Sequence, residues 1–201
     1  MSDAIEQSNN PNNRTILLHT CCGPCASACV PRLTEDGHEV TMLFANSNID
    51  TREEFEKRKA EAEKLAKHDG VRFAALPYDH EEWLREVAAG YGNEPEKGKR
   101  CARCFRYNLA KTAEFARANG IESFTTSLTV SPHKVSQMIF EAAADIPDMK
   151  RRDGASPSFL QYDFKKKEGF KLSVKRAEEL GLYRQSYCGC EFSKRKTKVI
   201  P

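Results

Sequence analysis

The sequence predicts a single α/β domain: a mostly parallel five-stranded sheet flanked by helices, closed by a helical C-terminal segment. Three observations predict it. Short apolar runs of strand length alternate with longer charged, amphipathic stretches, which implies parallel strands joined by right-handed helical crossovers. The length of 201 residues suits one domain with a substantial core. The longest apolar runs, such as Val40–Ala45, have strand length and fall far short of a membrane span.

The elements follow in order. Residues 1–13 are polar and Asn-rich, without the apolar stretch of a signal peptide, and read as a disordered tail. Residues 14–201 then form the one α/β catalytic domain. Thr15–His19 is a buried strand running into a glycine-proline turn and a helix over 24–36, which Pro31 must kink or end. Glu39–Asn46 is the second strand. Asp50-Thr51 caps a long charged helix, with Glu53 and Glu54 in its first turn and Gly70 as its stop. Val71–Leu76 is the third strand, followed by a short helix over His80–Ala89. A helix over 102–119 ends at Gly120, Ser123–Val130 is the fourth strand, Pro132–Ala144 a helix and Phe159–Phe164 the fifth strand. Such sheets bind ligands beyond the carboxyl ends of their strands.

All eight cysteines fall in three tight groups. The first is His19-Thr20-Cys21-Cys22-Gly23-Pro24-Cys25, with Cys29 one helical turn on. The second is Arg100-Cys101-Ala102-Arg103-Cys104, and the third is Tyr187-Cys188-Gly189-Cys190. Thiols spaced this closely converge on one soft centre, as thiolate-bound metals and iron–sulfur clusters require. A chain without an export signal is expected in the reducing cytoplasm, which disfavours structural disulfides. Cys101-x-x-Cys104 alone suits a redox dithiol, a zinc half-site or a cluster half-site. A structural zinc on Cys21, Cys25, Cys101 and Cys104 would leave Cys22, Cys188 and Cys190 unused. Cys29, inside a helix among apolar neighbours, reads as packed core, and Cys25 stays undecided. If strands one and four are neighbours, the first two groups meet at their edge.

Charge adds a partner class. Residues 1–99 carry 12 Lys/Arg against 18 Asp/Glu, and residues 100–201 carry 20 against 11. Basic runs at Lys150-Arg151-Arg152, Lys165-Lys166-Lys167 and Lys194-Arg195-Lys196 beside the thiols suit a polyanion such as RNA; a solvated lysine surface reads the same way. Phe105, Tyr107, Tyr162, Phe164, Tyr183 and Tyr187 are candidates to stack on a base, though most aromatics in such a domain are core. His19 is compatible with a proton donor, a ligand or a satisfied buried histidine. Asp163, at the end of the expected fifth strand, suits an acid or a hydrogen-bond partner.

Taken together, these stretches resemble the cobalamin-independent epoxyqueuosine reductases, the QueH family. The resemblance runs from Ile16 to Ser193 and rests on Leu18-His19-Thr20-Cys21-Cys22-Gly23-Pro24-Cys25, Pro77-Tyr78-Asp79 with Trp83-Leu84, and Arg100-Cys101-x-x-Cys104-Phe105. It continues through Phe124-Thr125-Thr126-Ser127-Leu128, Ser131-Pro132, Asp163-Phe164-Lys165-Lys166, and Leu182-Tyr183-Arg184-Gln185-Ser186-Tyr187-Cys188-Gly189-Cys190. It implies reduction of the epoxide of epoxyqueuosine in the tRNA anticodon loop to queuosine, with a [4Fe-4S] cluster, an additional mononuclear iron and an unidentified electron donor. Cys21, Cys22, Cys101 and Cys104 match the cluster-associated positions, and Cys188 and Cys190 the third pair. Cys188/Cys190 would hold or flank the iron, with Tyr187, His19 or Asp163 donating protons. Many relatives have alanine in place of Gly23, a departure expected only to loosen the turn.

The alternating pattern is Rossmann-like and also resembles the ATP-pyrophosphatase enzymes of the adenine nucleotide alpha hydrolase (HUP) fold. Their Ser-Gly-Gly-x-Asp-Ser type loop is replaced here by Cys-Cys-Gly-Pro-Cys, which speaks against ATP use. A non-enzymatic alternative is a zinc-stabilised RNA-binding module. No membrane partner is expected.

Overall fold

A computed structural model describes residues 14–147 and 156–194. The expected tail over residues 1–13, the run Lys150-Arg151-Arg152, and Arg195 and Lys196 lie outside the described residues.

Five parallel strands form one sheet in the order β3-β2-β1-β4-β5: β1 (Arg14–His19), β2 (His38–Phe44), β3 (Arg72–Ala75), β4 (Ser123–Thr126) and β5 (Ser158–Phe159). The chain builds outward from β1 to β3, then returns to the other side of β1. The switch in strand order therefore falls between β1 and β4, with Ile16 opposite Ser123 and His19 opposite Thr126. That is where an open parallel sheet makes its crevice.

Alternation along β1 sets the layers. Ile16 and Leu18 point to one face, with Val40, Met42 and Phe44 of β2. They pack under α2 (Cys29–Glu35), α3 (Arg52–Asp69) and α7 (Gly169–Glu179). Leu17 points to the other face, with Leu43 and Phe124, against α5 (Lys99–Ala118) and α6 (Ser136–Ala144). Each of these fully buried aliphatic side chains contributes about 1.5–3 kcal/mol of burial. Thr51 caps α3 by accepting from Glu54 N, and Gly70 ends it at φ 66°.

Several boundaries differ from the sequence reading, each for a local reason. The helix expected over 24–36 is two pieces, α1 (Gly23–Ala26) and α2. Pro31 has no N–H to give the Ser27 carbonyl four residues back, and Arg176 Nη1 donates to that carbonyl instead. Gly23 does more than shape a turn: a Cβ there would lie 2.6 Å from the Glu61 carbonyl oxygen, so glycine lets α1 sit directly on α3. The expected strand Ser123–Val130 stops at Thr126, where the Thr126 hydroxyl accepts from Leu128 N and turns the chain into a 3₁₀ segment, Ser127–Val130. The fifth strand stops at Phe159, because Tyr162 N bonds back to Leu160 O and the Leu160 and Tyr162 carbonyls accept from Thr125 and Thr129. The His80–Ala89 helix is α4 (His80–Trp83) followed by a π turn, Leu84–Ala88. Helix α5 starts at Lys99 rather than at 102, so Cys101 as well as Cys104 lies within its first turns.

Candidate metal centre

The first thiol group is built by the exit from β1. Cys22 caps α1, its sulfur accepting from Cys25 N at 3.4 Å. Cys21 lies across the strand switch, donating its N–H to Ser127 Oγ (3.0 Å) and accepting from that hydroxyl at its sulfur (3.3 Å). The Sγ atoms of Cys21, Cys22 and Cys25 all lie within 4.8 Å of one another. Hydrogen bonds from Cys21 and Cys25 hold the Cys22 thiol well below the ordinary range, and Cys25, which shares its proton with the other two, is pushed well above it. Three thiols this close cannot all ionise without a cation, and the trio could hold a metal ion. Cys25, undecided from sequence, thus joins the centre, while Cys29 is fully buried in the core.

The second group comes from α5. A spacing of three residues puts Cys101 and Cys104 on one helix face. Lys97 N donates to Cys101 Sγ at 3.3 Å, and Asn108 Nδ2 lies 3.8 Å from Cys104 Sγ. Burial, then the negative charges of Cys188 and Cys190, push the Cys104 thiol well up.

The third group arrives on the C-terminal strap. The fully buried side chain of Arg58 in α3 donates to the carbonyls of Cys188 (3.0 Å) and Tyr187 (3.5 Å), and pairs through Nε with Glu54 (2.7 Å). Gly189 sits at φ 142°, and a Cβ there would lie 2.9 Å from Asn48 Nδ2 and 3.3 Å from Arg58 Nη1. Only glycine fits this approach.

These segments enclose two adjoining cavities. The larger, about 370 Å³, is lined by Cys21, Cys22, Cys25, Cys104 and Cys188, with Arg58, Asn108, Lys134, Arg184 and Tyr187 among its walls. The smaller, about 80 Å³, is lined by Cys101, Cys104, Cys188 and Cys190 with Trp83 and Lys134. Seven thiols from three distant parts of the chain therefore line two cavities whose walls share Cys104 and Cys188. The buried Trp83 indole belongs to the cluster that packs on Cys104 and Cys190, with its N–H directed at the Cys104 thiol.

Three sequence candidates sit elsewhere or are already committed. His19 is fully buried within the sheet: Nδ1 meets Thr126 Oγ1 at 2.9 Å and Nε2 meets the Ala45 carbonyl at 3.2 Å. Burial lowers its pKa, so the ring stays neutral. Asp163 follows the short fifth strand rather than ending it; its carboxylate accepts from Ser136 Oγ (3.0 Å) and Lys165 N (3.2 Å), outside the cavity walls. Tyr187 does line the larger cavity, but its hydroxyl donates to Asp50 Oδ1 at 2.8 Å. Of the six aromatic candidates, Phe105 and Tyr187 reach the larger cavity; Tyr162 and Phe164 stack on each other against the core. Sequence reasoning missed Arg58, Lys134, Asn108 and Trp83 as site residues. Only Trp83, a lone tryptophan within a quoted motif, carried a local signal.

Fold and site together define a class: a doubly wound α/β protein with a thiolate-lined centre at the carboxyl edge of its sheet. The profile of the family described as epoxyqueuosine reductase QueH matches residues 16–196. The epoxyqueuosine reductase QueH of Streptococcus pyogenes is 37% identical over 185 residues, covering 89% of this chain and 70% of that protein. The one from Thermotoga maritima is 35% identical over 184 residues, covering 89% and 90%. The chain belongs to the QueH epoxyqueuosine reductase family. In fold it is similar to the U34-tRNA thiolase NcsA from Methanococcus maripaludis, solved with that protein's [4Fe-4S] cluster, at a TM-score of 0.51 and 12% identity. That match covers 87% of this chain but only 59% of the thiolase. Among the described residues, no helix is long and apolar enough to cross a membrane.

Proposed function

We propose that this chain reduces the epoxide of epoxyqueuosine in the anticodon loop of tRNA to the alkene of queuosine, in the cytoplasm, with electrons from an external donor. The observation that carries this reading is the convergence of seven thiols on two adjoining cavities, in a chain of the QueH family. The donor set fits iron–sulfur chemistry: soft sulfur ligands, three of them (Cys21, Cys22 and Cys25) within 4.8 Å of one another, with the Trp83 indole in the cluster packed on Cys104 and Cys190. Cys21, Cys22, Cys101 and Cys104 would hold a [4Fe-4S] cluster, and Cys188 and Cys190, with Cys25 alongside, a single iron. Bound there, these groups supply single electrons and a Lewis-acidic position for an oxygen ligand.

The protein's own residues do the rest. Phe105 and Tyr187 offer apolar faces to an inserted base. Lys97 and Arg184 at the rim suit the phosphates that flank it. Arg58 and Gly189 fix the strap that carries Cys188.

The test is direct. The chain is reconstituted anaerobically with iron and sulfide, then incubated with dithionite and tRNA bearing epoxyqueuosine, and the digested nucleosides are followed by mass spectrometry. Conversion to queuosine is expected, together with brown colour and broad absorption near ~400 nm. A colourless protein with one tightly bound zinc and no conversion would instead identify a zinc-stabilised RNA-binding module.

A further inference from the structure

Among the cysteine-free sequence blocks that carry the resemblance are Ser131-Pro132 and Asp163-Phe164-Lys165-Lys166. In the fold they are one unit. The Lys165 ammonium does not face solvent as part of a basic run. It donates to Thr129 O at 3.2 Å, Lys134 O at 3.1 Å and Ser136 Oγ, and it pairs with Asp163 at 3.7 Å. Asp163 in turn accepts from Ser136 Oγ, and Lys134 N closes a turn onto Ser131 O. The loop between the 3₁₀ segment and α6 is therefore pinned at 129, 134 and 136 by a charge that comes from the segment after β5.

This pinned loop carries Lys134, whose half-buried side chain lines both cavities. Lysine is a cation over the whole neutral range, so this side chain brings a positive charge to the wall the two cavities share. The other ionisable non-thiol groups lining both cavities, Glu96, Lys97 and His133, are exposed at the rim. His19, Tyr187 and Asp163 are committed to Thr126 and Ala45, to Asp50, and to Ser136.

The geometry points to Lys134 as a catalytic residue, the fixed positive charge that meets the epoxide oxygen, with Asp163 and Lys165 as its positioning pair. This rests on the epoxide-reductase reading above. The overall change is epoxide plus two electrons plus two protons to alkene plus water. Both C–O bonds break, and the ring oxygen leaves as water with protons from solvent. Two equivalents of a one-electron donor are oxidised. Negative charge develops on oxygen as the first C–O bond breaks, and a preorganised ammonium stabilises it there.

The test uses the full chain, reconstituted anaerobically, with dithionite and epoxyqueuosine-containing tRNA. Lys134→Gln should lower kcat about 100-fold, as loss of one such donor does. KM for tRNA should stay within about threefold, since the interaction strengthens only during reaction. Iron and sulfide content should match wild type, and the cluster's midpoint potential should become more negative, because a positive charge that favours the reduced form is gone. Lys134→Arg should recover much of the kcat. Lys165→Met should lower kcat with KM unchanged, and the double variant Lys134→Gln/Lys165→Met should be no slower than Lys134→Gln alone. Wild-type kcat or potential in Lys134→Gln overturns the assignment, as do fully multiplicative losses in the double variant. If Lys134→Gln does not retain iron, Lys165→Met decides, and an unchanged kcat there overturns it. Lack of turnover by the wild-type chain would overturn the epoxide-reductase reading instead.

Discussion

Arg58 Nη1 donates to the Cys188 carbonyl at 3.0 Å, tying a fully buried charge in α3 to the backbone of a thiol 130 residues later. A buried guanidinium is costly unless paired and hydrogen-bonded. Here Glu54 supplies the charge partner, while the Cys188 and Tyr187 carbonyls take the other donors. Replacing Arg58 with Met should cost about 3 kcal/mol of stability, since it strands Glu54 and frees two carbonyls. The variant should also bind less iron beyond the four of a cluster. Arg58→Lys keeps the charge and one donor and should fall between the two. Denaturant titration with iron counting checks this; wild-type iron content in Arg58→Met would refute the clamp.

Gly189 tests the same strap from the other side. At φ 142° with Asn48 Nδ2 where a Cβ would go, alanine is strained twice over. Gly189→Ala should leave the far-ultraviolet circular dichroism intact, because the strap lies outside the sheet. Turnover should fall at least tenfold as Cys188 moves off its place, a geometric loss of roughly 1–3 kcal/mol. Unchanged turnover would mean that the strap tolerates displacement.

How much of this was legible depended on whether the signal was local. The α/β alternation could be read because each strand is a short apolar run between capped helices, as with Thr51 and Gly70 around α3. Adjacency of β1 and β4 followed as a condition for the cysteine groups to meet, and the register bears it out. The short β5 could not be read: Phe159–Phe164 has strand composition, but its backbone bonds are diverted into turns and to threonine side chains of other segments. Arg58 was equally hidden. It is one of several cations on a charged helix, and nothing local says which one faces inward. Asp163 was placed at a strand end by pattern, whereas the fold uses its carboxylate to anchor Lys165 and Ser136.

His19 separates a structural role from a catalytic one. Its ring bridges the exits of β2 and β4 through Ala45 and Thr126, with no face on either cavity. His19→Gln should lower stability by about 1–3 kcal/mol by stranding buried partners. Turnover per cluster-loaded chain should stay within about threefold of wild type. A collapse in turnover with unchanged thermal stability would restore it as a proton donor.

Asp50 gives the strap a pH dependence with a definite sign. Burial alone would raise its pKa, but Lys194 and the Tyr187 hydroxyl outweigh burial and hold the carboxylate below its ordinary value of 3.8. Its backbone N–H also donates to the Gly189 carbonyl, so the same residue grips the strap twice. A carboxyl group with a depressed folded-state pKa binds fewer protons folded than unfolded. Its stabilisation is complete above the unfolded value near 3.8 and is lost as pH falls below that toward the folded value. Amide protection factors at residues 187–190, exchange corrected for its intrinsic pH dependence, should therefore be constant at neutral pH and fall in acid. In Asp50→Asn the acid-dependent component should be missing, and exchange at neutral pH should be faster throughout because the charged pairing with Lys194 is gone. Exchange profiles of the two proteins that superimpose from about pH 6 to pH 3 would exclude Asp50 as the latch.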